Sequence, residues 1–133
     1  MLPWENQPYA MGFIADQSPS NTKQAYWMNF MNQPAGFIRK PWILTERQQL
    51  SAVYLQVKRL RRGHYFFEVI PVSLQPTKAS AADMAKAYRD ILESDIKRDP
   101  ANYLWTHRRW KREWKQEYAS LWVEETPLPT SSG

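Results

Sequence analysis

The chain has 133 residues, the length of a single globular domain, and a formal net charge of +5 at pH 7 from 18 Lys and Arg against 13 Asp and Glu. It contains no cysteine, which excludes a disulfide framework and a thiolate metal site. No segment approaches the run of roughly 20 apolar residues that a membrane-spanning helix needs. The positive charge favours an anionic partner such as nucleic acid, acidic lipid head groups or an acidic carrier protein.

The first apolar run, from Tyr9 to Ala15, has the composition of a buried strand that ends at Asp16 and Gln17. Ligands of open α/β sheets bind beyond the carboxyl ends of strands, which makes Asp16 a candidate site residue. On composition alone, the simpler interpretation of Asp16 is a turn residue at the end of a strand.

Residues 36–58 predict a short helix and then a strand. Pro41 argues against one long helix from Gly36, and Thr45 could cap a short helix that begins at Glu46. Strand composition returns at 51–58, where Val53, Leu55 and Val57 share one face.

A basic turn and a second strand follow. The turn spans 59–63, and aromatic and aliphatic residues fill 64–72, so that 51–72 is a predicted antiparallel hairpin. By composition, the bases at its tip, Arg59 among them, are those of a solvated turn.

A helix is predicted from Ala81 to Arg98, with Ser80 as its cap and Asp83 completing a weak capping box. The apolar residues at helical spacing are Met84, Tyr88, Ile91, Leu92 and Ile96, and we expect Met84, Tyr88, Leu92 and Ile96 to be buried. Glu93 lies four residues before Lys97, a spacing that favours an ion pair. The helix should end at Asp99–Pro100, because proline lacks an amide hydrogen and disfavours the α region in the residue before it.

The segment after this helix is dense in aromatic and cationic side chains. Tyr103 to Trp105 supply an apolar anchor, and Arg108, Arg109 and Lys111 follow it. Arginines bind phosphate or carboxylate in a forked, two-point geometry, which suits an anionic ligand. The alternative is that these cations pair with Glu93 or Asp95 and only hold the C-terminus in place.

The C-terminal residues again show helical spacing. Trp114, Tyr118, Leu121 and Trp122 predict a terminal helix that lies on the protein surface or on a membrane. Residues 126–133 are expected to be a disordered tail, which leaves 1–125 as the domain.

Several of these motifs, in this order, resemble the bacterial lipid A biosynthesis acyltransferases, the lauroyl and myristoyl transferases of the lysophospholipid acyltransferase-like superfamily. The resemblance rests on Gly12-Phe13-Ile14-Ala15-Asp16-Gln17, on the Trp27–Gly36 segment, on Arg59 with Gly63-His64-Tyr65, and on the run from Asp99-Pro100 through Tyr103-Leu104-Trp105 to His107-Arg108-Arg109-Trp110-Lys111. Residues 37–50 depart from the family pattern.

The resemblance implies an α/β fold: a partial glycerol-3-phosphate acyltransferase-like sheet with C-terminal helices. The family's general base is the His of a His-x-x-x-x-Asp/Glu motif, which lies N-terminal to the Asp-Gln strand. Here the fifth residue after His64 is Val69, and the fifth after His107 is Arg112, so neither histidine can form the motif. We therefore expect a C-terminal portion that lacks the N-terminal catalytic half, contains no catalytic residue and is inactive alone.

The resemblance also implies a function. The family transfers a fatty acyl chain from acyl carrier protein to a lipid A precursor at the cytoplasmic face of the inner membrane, where this chain would be peripheral. No cofactor or metal is expected. The implied substrate-binding residues are Asp16, Gln17, Arg59, Arg108, Arg109 and Lys111. The alternative, a small basic nucleic-acid-binding module, would explain the charge but not the order of the motifs, so no nucleic-acid partner is expected.

Overall fold

The computed structural model describes residues 6–75, 79–102 and 112–129. Its strands are β1 (Ala25–Phe30), β2 (Gln33–Ile38), β3 (Ala52–Arg61) and β4 (His64–Ser73), and its α-helices are α1 (Lys40–Arg47) and α2 (Ala81–Arg98). Short 3-10 turns occupy Thr22–Gln24, Pro100–Asn102 and Gln116–Leu121. β1 pairs with β2 and β3 with β4, each pair as a two-stranded antiparallel sheet. The mixed α/β class is thereby confirmed.

The segment 9–15 does not form the predicted strand; it is an irregular segment that leads into the first sheet. Phe13 and Ile14 are 49% and 72% exposed, whereas Ala15 is buried in the core. A strand needs a neighbour to satisfy its backbone hydrogen bonds, and none of the described strands pairs with this run. Its apolar composition was therefore misleading.

A two-residue turn at Met31 and Asn32 joins β1 to β2, and both residues have positive φ angles, of 51° and 65°. Such turns match the right-handed twist of a hairpin, and asparagine tolerates this conformation well. Glu93 of α2 accepts a hydrogen bond from the backbone N–H of Met31. α2 therefore holds Met31 in the turn, where a positive φ is less favourable for methionine than for asparagine.

α1 begins earlier than predicted. It starts at Lys40, with Pro41 in the first turn, where a missing N–H costs nothing. The expectation that Thr45 caps a helix from Glu46 is wrong. Thr45 lies inside the helix, and its Oγ1 donates to the Pro41 carbonyl at 2.8 Å. Gly36 lies in β2, so a helix from Gly36 is excluded, as expected.

α2 confirms the helical pattern at both of its ends. The Ser80 Oγ accepts from the Asp83 N–H at 3.1 Å, and its hydrogen bond with the Asp83 side chain lowers the pKa of that carboxyl. Asp99 follows the last helical residue, and Pro100 opens a 3-10 turn. Lys97 and Glu93 approach to 4.0 Å.

The core lies between α2 and the first sheet. The predicted residues Met84, Tyr88, Leu92 and Ile96 are buried there, together with Met28, Phe30 and Phe37 of β1 and β2. Phe30 and Phe37 meet edge to face with their centroids 5.5 Å apart.

A second, smaller cluster joins the C-terminal segment to β1. Tyr118 and the neighbouring aromatic residues pack against Trp27, and the Val123 N–H donates to the Trp27 carbonyl at 3.0 Å. The predicted terminal helix is found only in part: the segment forms a six-residue 3-10 helix, Gln116–Leu121, whose apolar side chains face β1. Within the described residues, no helix is long and apolar enough to cross a bilayer.

The β3–β4 hairpin is confirmed, although its first strand continues to Arg61 and shortens the turn to Arg62 and Gly63. Gly63 has a φ of 78°, a left-handed conformation that glycine adopts without strain. Val53, Leu55 and Val57 do share one face, but all three are exposed.

Candidate functional site

A cleft of about 880 Å³ separates the N-terminal segment from the helices and the start of β3. The residues around it are Tyr9–Asp16, Pro41, Trp42 and Thr45 of α1, Leu50–Leu55, and Tyr88 and Leu92 of α2. Most of these side chains are apolar, and the volume lies within the range typical of small-molecule sites, about 300–1,000 Å³. The cleft can accept an apolar group of substantial size.

Asp16 brings a carboxylate to the cleft. It directly follows Ala15, which is buried in the core, so a buried residue fixes the chain next to the carboxylate. Asp16 itself is partly exposed. Its negative charge is close enough to contribute to the raised pKa of Tyr54.

Asp95 of α2 organises a polar cluster against β3. It accepts hydrogen bonds from the Tyr54 hydroxyl at 2.8 Å and from the Gln56 side-chain amide at 2.9 Å, and it pairs with Arg98. Burial, followed by the hydrogen bond to Asp95, raises the pKa of Tyr54 well above its ordinary value. The Tyr54 hydroxyl therefore stays protonated and donates, which fixes the ring that lines the cleft.

Trp42 supplies an unusual feature beside the cleft. Its indole Nε1 is buried and has no hydrogen-bond partner among the described residues. Buried donors without a partner are rare in native proteins and call for an explanation.

The structure separates the predicted site residues from one another. Asp16 lines the cleft; Gln17, its neighbour in sequence, is exposed and does not. Arg59 is exposed near the tip of the β3–β4 hairpin and is not part of the cleft. The remaining predicted residues, Arg108, Arg109 and Lys111, lie outside the described residues, as do the anchors Tyr103 to Trp105.

The two carboxylates named above as alternative partners of the 108–111 run already have partners on α2. Glu93 is paired with Lys97, and Asp95 with Arg98. Within the described ranges, no cluster of three or more His, Asp or Glu residues is placed to hold a metal ion.

Sequence reasoning missed Trp42, Tyr54 and Gln56. A signal for the last two was present, because they alternate along β3 with the apolar residues at 53, 55 and 57 and so must lie on the opposite face. Asp95 was considered only as an ion-pair partner. Its position three residues after Leu92 places it beside the buried stripe of α2, where a carboxylate needs partners.

These features define a mixed α/β protein with an apolar ligand cleft that a carboxylate borders. The family of bacterial lipid A biosynthesis acyltransferases matches residues 5–112, most of the chain, and the protein belongs to this family. No curated protein sequence matches it. The family suggests an acyltransferase function, and it does not favour the nucleic-acid-binding alternative.

Proposed function

We propose that this chain takes part in the transfer of a fatty acyl group from acyl carrier protein to a lipid A precursor, at the cytoplasmic face of the inner membrane. The observation that carries the proposal is the family match over residues 5–112. In this proposal the described structure belongs to a larger glycerol-3-phosphate acyltransferase-like sheet.

The cleft is the element that we assign to the acyl chain. An acyl chain is a long hydrocarbon, and it is stabilised where apolar side chains remove it from water. The cleft offers such walls on three sides, from the 9–14 segment, from Trp42 of α1 and from Leu92 of α2.

The chemical step needs a general base, and this sequence does not contain the His-x-x-x-x-Asp/Glu motif that supplies it in the family. Transfer to a hydroxyl requires a group that removes the hydroxyl proton as the oxygen attacks the acyl thioester, and a carboxylate that orients that group. Neither His64 nor His107 has an Asp or Glu five residues later. The chain therefore binds and positions substrate, and the purified 133-residue chain does not turn over.

Arg108, Arg109 and Lys111 are proposed to bind the anionic groups of the precursor or the acidic carrier protein, and Asp16, Gln17 and Arg59 to contact polar parts of the substrates. Replacing Arg108 and Arg109 together by alanine should weaken binding of the precursor to this chain and flatten its dependence on salt, while the melting temperature stays unchanged. A large loss of thermal stability with unchanged affinity would show that the two arginines are structural.

The acyl-binding role can be tested with radiolabelled laurate. Saturable binding is expected, and Val53→Trp should weaken it because Val53 lines the cleft. Val69→Trp is the matched control, since Val69 is exposed on the same hairpin but does not line the cleft. Equal effects of both substitutions, or no saturable binding, would argue against the cleft as the acyl site.

The catalytic part of the proposal has its own assay. Acyl transfer from lauroyl or myristoyl acyl carrier protein to the tetraacylated precursor should remain at background with the purified chain. Turnover well above background would contradict the proposal that this chain is inactive alone, since it would require a general base outside the family motif.

A further inference from the structure

The two faces of the β3–β4 hairpin are reversed relative to an ordinary half-buried sheet. The face toward α2 carries most of the polar groups, namely Tyr54 and Gln56, which bond to Asp95, and the Lys58–Glu68 ion pair, together with Phe66 and Ile70. The outward face is apolar, and its six main residues are each 42% to 60% exposed: Val53, Leu55, Val57, Tyr65, Phe67 and Val69. Half-buried antiparallel sheets normally place apolar residues inward and polar residues outward.

The strand register makes this outward face continuous. Leu55 lies opposite Val69, and Val57 lies opposite Phe67. The outward face also meets the cleft, because Val53 and Leu55 line both. An apolar surface therefore runs from the cleft toward the hairpin tip. Contiguous apolar patches of this kind mark binding surfaces for proteins or membranes.

The hairpin tip is strongly basic. Between residues 52 and 73 there are four Lys and Arg residues and one acidic residue, Glu68, which Lys58 already binds. Arg59 lies opposite Tyr65 and so projects from the same outward face as the apolar residues. Arg61 and Arg62 lead into the turn. No carboxylate in the described ranges forms an ion pair with these three arginines. Leu60, between them, is 69% exposed.

We propose that the β3–β4 hairpin docks onto an anionic lipid bilayer, with its tip arginines on the head groups and its outward face against the acyl region. Apolar and aromatic side chains next to basic ones are the combination that binds an anionic membrane interface. The same hairpin of a second copy could cover the apolar residues, but it would bring the same bases and one carboxylate, Glu68, which Lys58 already binds. A bilayer supplies both partners.

This inference refines the membrane placement in the proposed function and does not depend on acyl transfer. A hairpin that binds the bilayer would place the cleft next to lipid, since the apolar face opens into it. Vesicle binding is measured without acyl donor or acceptor. Its failure would therefore leave the acyltransferase assignment untouched.

The first test measures co-sedimentation of the full chain with phosphatidylcholine vesicles that do or do not contain phosphatidylglycerol. The chain should bind the anionic vesicles and dissociate as salt is raised. Changing Arg59, Arg61 and Arg62 to glutamine should lower the partition coefficient on the order of 100-fold, because each base near an anionic surface contributes about fivefold. The matched control changes three exposed bases outside the hairpin, Lys23, Lys40 and Lys115, to glutamine. It alters net charge equally and should have a much smaller effect.

The second test asks which surface meets the lipid. The chain has no cysteine, so Phe67→Cys can be labelled at one position with an environment-sensitive fluorophore. Its emission should shift to the blue on anionic vesicles, and that of labelled Ser120→Cys, on the exposed side of the C-terminal 3-10 turn, should not. Circular dichroism melting of each variant confirms that it is folded.

Three results would overturn the proposal. The first is equal binding to neutral and anionic vesicles, and the second is equal loss of binding in the two triple variants. The third is a blue shift of the Phe67→Cys label that occurs without vesicles and grows with protein concentration, together with dimers in sedimentation velocity. This result would show that a second copy of the chain covers the outward face.

Discussion

Trp27 of β1 and Tyr118 of the C-terminal 3-10 turn stack with their ring centroids 4.9 Å apart and their planes 8° from parallel. The Trp27 indole N–H donates to the Thr22 carbonyl, and the Tyr118 hydroxyl bonds to the Thr22 Oγ1 at 2.9 Å. Thr22 thus contacts both rings, and its bond with Tyr118 joins residues 96 positions apart in the sequence. The stack attaches the C-terminal segment to the first sheet.

Tyr118→Ala should therefore destabilise the protein by about 3–5 kcal/mol, the usual cost of removing a large buried aromatic side chain. Tyr118→Phe keeps the stack and loses only the hydrogen bond to Thr22, so it should cost about 0.5–1.5 kcal/mol. Urea denaturation of both variants measures the difference. Equal effects would mean that the hydroxyl, and not the stack, anchors the segment.

Leu92→Ala should destabilise the protein by about 2–5 kcal/mol, because Leu92 is 4% exposed in the core and its removal leaves a cavity. Leu60→Ala is the matched control, since Leu60 is 69% exposed and should change the free energy of unfolding by about 0.5 kcal/mol or less. A small effect of Leu92→Ala in thermal or urea unfolding would contradict the packing of α2 on the sheet.

Arg89 of α2 forms an ion pair with Glu124 and also donates to the Asn29 carbonyl at 2.7 Å. The two charged side chains are only 12% and 10% exposed, so removing one partner leaves a largely buried charge. Glu124→Ala should cost about 3–5 kcal/mol, and the double variant Arg89→Met, Glu124→Leu should recover part of that loss. Lys86→Met breaks the more exposed pair with Asp83 and should cost about 1 kcal/mol or less. Additive effects of the single substitutions Arg89→Met and Glu124→Leu in a double-mutant cycle would refute the coupling.

Tyr54 should make stability fall at high pH. Burial, and then the hydrogen bond to Asp95, raise the pKa of Tyr54 in the folded state. Above a pH of about 10, the unfolded chain ionises this tyrosine while the folded chain does not, so the stabilisation is complete below that pH and is lost above it. The advantage of the native protein over Tyr54→Phe should shrink between a pH of about 9 and 12. Urea unfolding across this range measures it, with exposed Tyr65→Phe as control; a constant difference would contradict the prediction.

Local patterns predicted two elements of this fold well. In α2, the Ser80 cap, the apolar spacing and the Asp99–Pro100 stop all act within the helix, so the bounds Ala81–Arg98 followed directly. The β3–β4 hairpin was equally local, with two β-rich runs around a glycine turn. The errors occurred where structure depends on distant partners. The 9–15 run has strand composition, but none of the described strands lies beside it. The 114–122 spacing is helical, although the segment packs as a short 3-10 turn against β1.

The candidate site likewise contains one residue that the local sequence indicated and several contacts that only tertiary packing creates. Asp16 could be chosen from the sequence because a carboxylate follows an apolar run in a family-like motif. The bonds of Tyr54 and Gln56 to Asp95 could not, because these residues are about 40 positions apart and meet only when β3 packs against α2. The unpaired Trp42 N–H likewise exists only once the surrounding side chains have excluded water.

The sequence by itself determined the family, the ends of α2, the pairing of β3 with β4 in a hairpin and the absence of the His-x-x-x-x-Asp/Glu motif. Each of these depends only on residues that are neighbours in the sequence. Only the tertiary structure decided which face of that hairpin is exposed. Alternation assigns Val53, Leu55 and Val57 to one face, but apolar residues normally turn inward. Here the hydrogen bonds of Tyr54 and Gln56 to Asp95 orient the polar face toward α2, and the apolar face is left to solvent.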